Sequence, residues 1–130
     1  MKHFFSFFLC IALLCLPLIG CGKPKLQGFS GTVTYDGKPL ESDGIVTFYP
    51  DAKKGNTMGA SNVASIKNGR YELPVSQGIS GGWYNVSVEV TEWVDNAEGG
   101  QDKHLIPPYT FSHEFQPDDK EFNIEIPKKR

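Results

Sequence analysis

The chain has 130 residues, 15 of them acidic and 13 basic, and its formal charge of −2 becomes −3 without residues 1–20, which carry Lys2 and no acid. That length holds one ordinary domain. The weakly acidic balance argues against nucleic acid as a partner, because no basic stripe replaces phosphate counterions and the one basic cluster, Lys128-Lys129-Arg130, reads as a solvated chain end.

Fourteen glycines and nine prolines among short β-branched and aromatic runs favour strands and turns over helices. Cys10, Cys15 and Cys21 are the three cysteines, so the domain that follows contains no disulfide and no Cys-ligated zinc. Apolar burial has to hold it together.

Met1-Lys2-His3 is a short positive region, and Phe4 to Leu16 is an apolar run the size of a secretory signal core, short of the roughly 20 residues a membrane-spanning helix needs. Leu18-Ile19-Gly20-Cys21 follows and resembles the lipobox of bacterial lipoproteins. The resemblance implies cleavage after Gly20 and a diacylglyceryl thioether on Cys21, with a further acyl chain such as palmitate on the new amine. An ordinary secretory signal cut near Gly20 or Gly22 and an uncleaved anchor are the competing readings. The expected organisation is a signal peptide at 1–20, which forms an N-terminal helix, a lipidated tether at 21–28, and a domain at 29–130.

In the domain, Phe29, Gly31, Val33 and Tyr35 share one face of a first strand. Asp36-Gly37 and Asp43-Gly44 are turn signals that tolerate positive φ, and Ile45 to Tyr49 is a second strand with Val46 and Phe48 on its inner face. Residues 51–59 form a loop. Asn62 to Lys67 places Ala64 and Ile66 inward, Asn68-Gly69 is a hairpin turn, and Tyr71, Leu73 and Val75 continue on the partner strand, where Pro74 marks a sheet edge or a strand end. After a second loop, Tyr84, Val86, Val88 and Val90 give the cleanest alternation in the chain. Glu92 to Pro108 has no period and reads as a long loop of the functional or disordered kind. Tyr109 to Phe115 and Phe122 to Ile126 supply two closing strands.

Six or seven short strands without a useful amphipathic helix make an all-β sandwich. Gly31-x-Val-x-Tyr-Asp-Gly-Lys-Pro-Leu40, Gly44-x-Val-x-Phe48, Ile66-x-Asn-Gly-x-Tyr71, Gly82-x-Tyr-x-Val-x-Val88, Ile106-Pro-Pro-Tyr109 and Phe122-Asn-Ile-Glu-Ile126 together resemble the carboxypeptidase regulatory-like, or transthyretin-like, domain of small bacterial lipoproteins. That resemblance implies a seven-stranded prealbumin-like, immunoglobulin-like β-sandwich with no catalytic residues to carry over. Transthyretin-related hydrolases end in Tyr-Arg-Gly-Ser, whereas this chain ends Ile-Pro-Lys-Lys-Arg, so their activity does not transfer.

Gly78-Ile79-Ser80-Gly81-Gly82 fits the serine-hydrolase pattern G-x-S-x-G, with Asp102, His104 and His113 as nominal partners. That motif works on a strand-to-helix turn, and here a strand follows, so Ser80 reads as part of a glycine-rich turn. Asp95, Glu98, Asp102 and His104 gather in the 92–108 segment, but Ala97 breaks the alternation of acids that a calcium loop needs, so no metal site is assigned. Trp83 and Tyr109 are expected to cap the core, and Trp93 to be exposed. The expected product is a non-catalytic module without a cofactor, lipid-anchored on the periplasmic or cell-surface side of a bacterial envelope. Trp93, Asp95, His104 and Tyr109 are its candidate contacts for an envelope protein, or for a polysaccharide that stacks on the loop aromatics.

Overall fold

The computed structural model describes residues 22–128. The expected signal segment, the helix expected in it, and the expected lipidation site Cys21 lie outside the described residues. Ten strands follow in order: β1 (Phe29–Tyr35), β2 (Lys38–Pro39), β3 (Gly44–Pro50), β4 (Asn62–Lys67), β5 (Arg70–Leu73), β6 (Gly82–Glu89), β7 (Thr91–Asn96), β8 (Gly99–His104), β9 (Tyr109–Phe115) and β10 (Ile124–Ile126). Two single-turn 3-10 helices, Ala52–Lys54 and Val75–Gln77, interrupt them. The fold is all-β, and no helix among the described residues is long and apolar enough to cross a membrane.

Seven strands form one hydrogen-bonded path in the order β10-β1-β5-β4-β3-β6-β9, with β2 added beside β1. All neighbours are antiparallel except β1 and β10, which run parallel. The path curls into a sandwich whose interior takes alternate residues of each strand: Phe29 and Val33, Val46 and Phe48, Ala64 and Ile66, Tyr71 and Leu73, Tyr84, Val86 and Val88. Strands from opposite ends of the path meet through aromatic rings. Phe29 of β1 stacks on Phe115 of β9 with centroids 5.2 Å apart, and Phe48 and Phe122 close on the same ring at 5.9 and 4.9 Å.

Two close approaches fix the closing segment. A side chain at Gly31 would run into the Phe122 carbonyl, and that same oxygen accepts the Tyr71 hydroxyl at 2.6 Å. The turns obey their chemistry. Asp36-Gly37 and Asn68-Gly69 all have positive φ, as two-residue hairpin turns require.

Several expectations need correction. Asp43-Gly44 is not a positive-φ turn; Gly44 begins β3, where a side chain would meet the Glu89 carbonyl. Val75 does not continue β5: the strand ends at Leu73, and the absent N–H of Pro74 leaves Val75 in an exposed 3-10 turn. Nor is β5 an edge, since it lies between β1 and β4. Gln27 does not belong to a free tether. It is buried, exchanges backbone hydrogen bonds with Ile79 at 2.9 and 3.1 Å, and donates its side-chain amide to the Gln116 carbonyl at 2.7 Å.

The registers define two poles. Phe29 beside Leu73, Gly82 beside Phe115, and Phe48 beside Asn62 lie at the pole where the chain enters. Lys67 beside Arg70, Ile45 beside Glu89, and Val88 beside Tyr109 lie at the other. The eight residues of β6, seven rises of ~3.3 Å, separate the poles by about 23 Å.

Burial pushes the Tyr71 phenol well above its ordinary range. The unfolded phenol ionises near pH ~10 while the folded one keeps its proton, so the contribution of Tyr71 is complete below that pH and is lost as pH rises above it. Tyr71→Phe therefore lowers stability by about 1 kcal/mol at neutral pH through the lost hydrogen bond. In urea unfolding, the gap between wild type and variant closes progressively above pH ~10.

Candidate functional site

The segment expected to be a loop is a β-hairpin, a correction with a clear physical cause. β7 and β8 pair only with each other, from Thr91 opposite His104 to Asn96 opposite Gly99, and every β8 residue is exposed. With neither face committed to a core, no alternation is imposed on the sequence. The turn closes through the Asn96 side chain, which accepts the Glu98 N–H at 3.0 Å, and through Gly99, whose φ is +119°.

Register decides which candidates act together. Trp93 faces Asp102 across the ladder, Thr91 faces His104, and Asp95 faces Gly100, so Trp93, Asp95, Asp102 and His104 share one face of the hairpin. The Trp93 indole N–H donates to Asp95 Oδ1 at 2.9 Å, and the ring lies on Gly100, where a side chain would collide with it. Trp93 remains 62 % exposed. Chemically this is a fixed aromatic plate bordered by two carboxylates and an imidazole, able to stack on a flat apolar surface while its rim accepts and donates hydrogen bonds. Gly100 was not singled out from the sequence, because its role depends on the ladder placing it opposite Asp95.

Tyr109 belongs elsewhere. It sits on β9 opposite Val88, packs against Phe111 with centroids 5.3 Å apart, and borders the core as expected. Trp83 does not cap the core. It alternates with inward Tyr84, and Lys54 Nζ lies 3.9 Å from its ring centroid on the outside.

The serine-hydrolase constellation is not assembled. Ser80 is buried at the chain-entry pole with its hydroxyl 3.1 Å from the Tyr84 hydroxyl, whereas Asp102 and His104 are on the hairpin that leaves the opposite pole. His113 packs against both Phe122 and Phe115, with centroids 4.4 and 4.7 Å away. Among the described residues no group of His, Cys, Asp and Glu side chains is placed to hold a metal ion.

A second feature escaped sequence reasoning. The outer faces of β1, β5 and β4 line an open concavity of about 930 Å³ with Thr32, Arg70, Glu72 and Lys67, walled on one side by Glu121 and Asn123. Asn123 Oδ1 accepts from both the Thr32 N–H and hydroxyl at 2.8 and 2.9 Å, and its amide donates to Glu121 at 2.8 Å. Outward polar residues were readable on these strands, but the curl that gathers them was not.

Gly100→Ala should dislodge the indole without unfolding the sandwich. The expected result is a changed near-ultraviolet circular dichroism signal from Trp93 with a thermal midpoint within about 2 °C of wild type, because substitutions outside the core are nearly neutral.

No family model matches the sequence, and no curated protein matches it significantly. Among solved structures, the chain is similar to a Pseudomonas aeruginosa protein provisionally described as carbohydrate binding, with 12 % identity over 84 % of this chain and 92 % of that one and a TM-score of 0.46.

Proposed function

We propose that the chain is a lipid-anchored, non-catalytic binding module of the bacterial cell envelope, of the carboxypeptidase regulatory-like lipoprotein type. The observation that carries this reading is the motif Leu18-Ile19-Gly20-Cys21 at the end of an apolar run, immediately ahead of an all-β domain that has no other cysteine. Sulfur at that position forms the thioether, and several acyl chains on one residue exceed the two signals needed for stable membrane attachment. The signal peptide is removed, and the domain stays on the periplasmic or cell-surface side.

The working surface in this reading is the hairpin face carrying Trp93, Asp95, Asp102 and His104. An envelope protein is the first partner, with Trp93 as the anchoring aromatic. A polysaccharide is the second, favoured by the way Asp95 and Gly100 hold the indole open to solvent: a flat, pre-oriented ring stacks on the apolar face of a sugar while the flanking carboxylates take its hydroxyls.

Cys21→Ser tests the anchor. The wild type should partition with membranes and show, by intact mass, loss of residues 1–20 and gain of acyl chains. The variant should accumulate as an uncleaved, unacylated precursor. A wild type recovered as a soluble, unacylated chain contradicts the reading.

A further inference from the structure

We propose that the chain-entry pole of the sandwich is itself a membrane-contacting surface, resting on the headgroup layer of the bilayer that holds the acyl chains. The proposal rests on the lipid anchor at Cys21. Its first support is the length of the tether. Because Gln27 is buried and held by Ile79 and Gln116, only residues 22–26 separate Cys21 from the folded body. Six Cα steps of about 3.3–3.6 Å span roughly 20 Å when fully extended, and less with any bend, so this pole cannot leave the membrane surface by more than that.

The second support is what the pole displays. Met58, 77 % exposed, lies in the connection from β3 to β4, and Val75, 60 % exposed, in the turn after β5; Leu26, Val63 and Tyr49 are exposed at the same end. Scattered apolar residues on a protein surface are ordinary. Ile45, Trp93 and Leu105 are exposed toward the other end, but Met58 and Val75, among the most exposed apolar side chains of the domain, flank the point where the anchor attaches, and side chains of this kind lodge at the boundary between headgroups and acyl chains.

Charge is the third support. Lys23, Lys25, Lys53, Lys54 and Lys120 lie at this pole among Glu72, Glu114, Asp118, Asp119 and Glu121, and Asp51 is buried as the cap of the Ala52–Lys54 turn, so the exposed charge there is balanced. The hairpin at the opposite pole carries Glu92, Asp95, Glu98 and Asp102 against Lys103. A leaflet containing anionic lipid repels the acidic hairpin and leaves the charge-balanced entry pole free to approach. The sandwich then stands on its entry pole, with the Trp93 face turned away from the bilayer and toward partners.

The test uses the mature lipoprotein reconstituted into vesicles of phosphatidylcholine and phosphatidylglycerol, with an environment-sensitive fluorophore on Met58→Cys, Val75→Cys or Gln101→Cys. Acylated Cys21 leaves the introduced thiol as the reactive one. Probes at 58 and 75 should shift to the blue and be quenched by brominated lipid at least about twofold more than the probe at 101. Equal quenching at the two poles, with intact mass showing acylated Cys21, overturns the proposal and leaves the anchor standing. An unacylated Cys21 in the same mass spectrum overturns both.

Discussion

The stacking of Phe29 on Phe115 is the contact on which this architecture turns. The two residues come from β1 and β9, far apart along the hydrogen-bonded path of the sheet, and no covalent crosslink is available among residues 22–128 to bring those strands together. Aromatic pairs contribute about 0.5–1.5 kcal/mol each beyond the area they bury. Phe115 touches Phe48, Tyr84, His113 and Phe122 as well as Phe29. A network of rings therefore supplies the closure that small secreted domains often obtain from disulfides. Its geometry also dictates details elsewhere: Gly31 has to lack a side chain so that the segment carrying Phe122 can approach, and Tyr71 reaches the Phe122 carbonyl across the gap.

Once the sheet is closed, its ends acquire different characters. The entry pole receives the chain through Gln27, whose hydrogen bonds to Ile79 and Gln116 tie the start of the domain to two loops. The opposite pole releases β6 into a hairpin that shares no ladder with the main sheet. In the proposed function the chemistry follows the same division, with an acylated cysteine below and an aromatic plate with acidic borders above. The hairpin pairs only with itself, so its sequence can vary without disturbing the core.

Much of this division can be read from the residues, and the exceptions share a cause. Strands with one buried face announce themselves by alternation, as β1, β4 and β6 do, and Asn68-Gly69 names its own turn. Trp93 is recognisable as exposed because it lies beyond the last alternating residue. The β7–β8 hairpin is silent because two solvent-facing surfaces leave the order of side chains free. Likewise the union of Trp93, Asp95, Asp102 and His104 on one face, and the separation of Tyr109 from them, depend on a register that only pairing reveals. Gln27, polar and ahead of the first strand, looks like linker; its burial is a tertiary fact. The concavity over β1, β5 and β4 belongs to the curl, which no local pattern encodes.

The central claim, a rigid ring-closed sandwich that holds its chain-entry pole and its hairpin apart, is open to one distance. Spin labels on Lys120→Cys and Gln101→Cys in residues 22–130, read by pulsed dipolar spectroscopy, should give a narrow distribution centred beyond about 23 Å, the length of β6. A centre well below that length, or a distribution spread over tens of ångströms, would contradict the account.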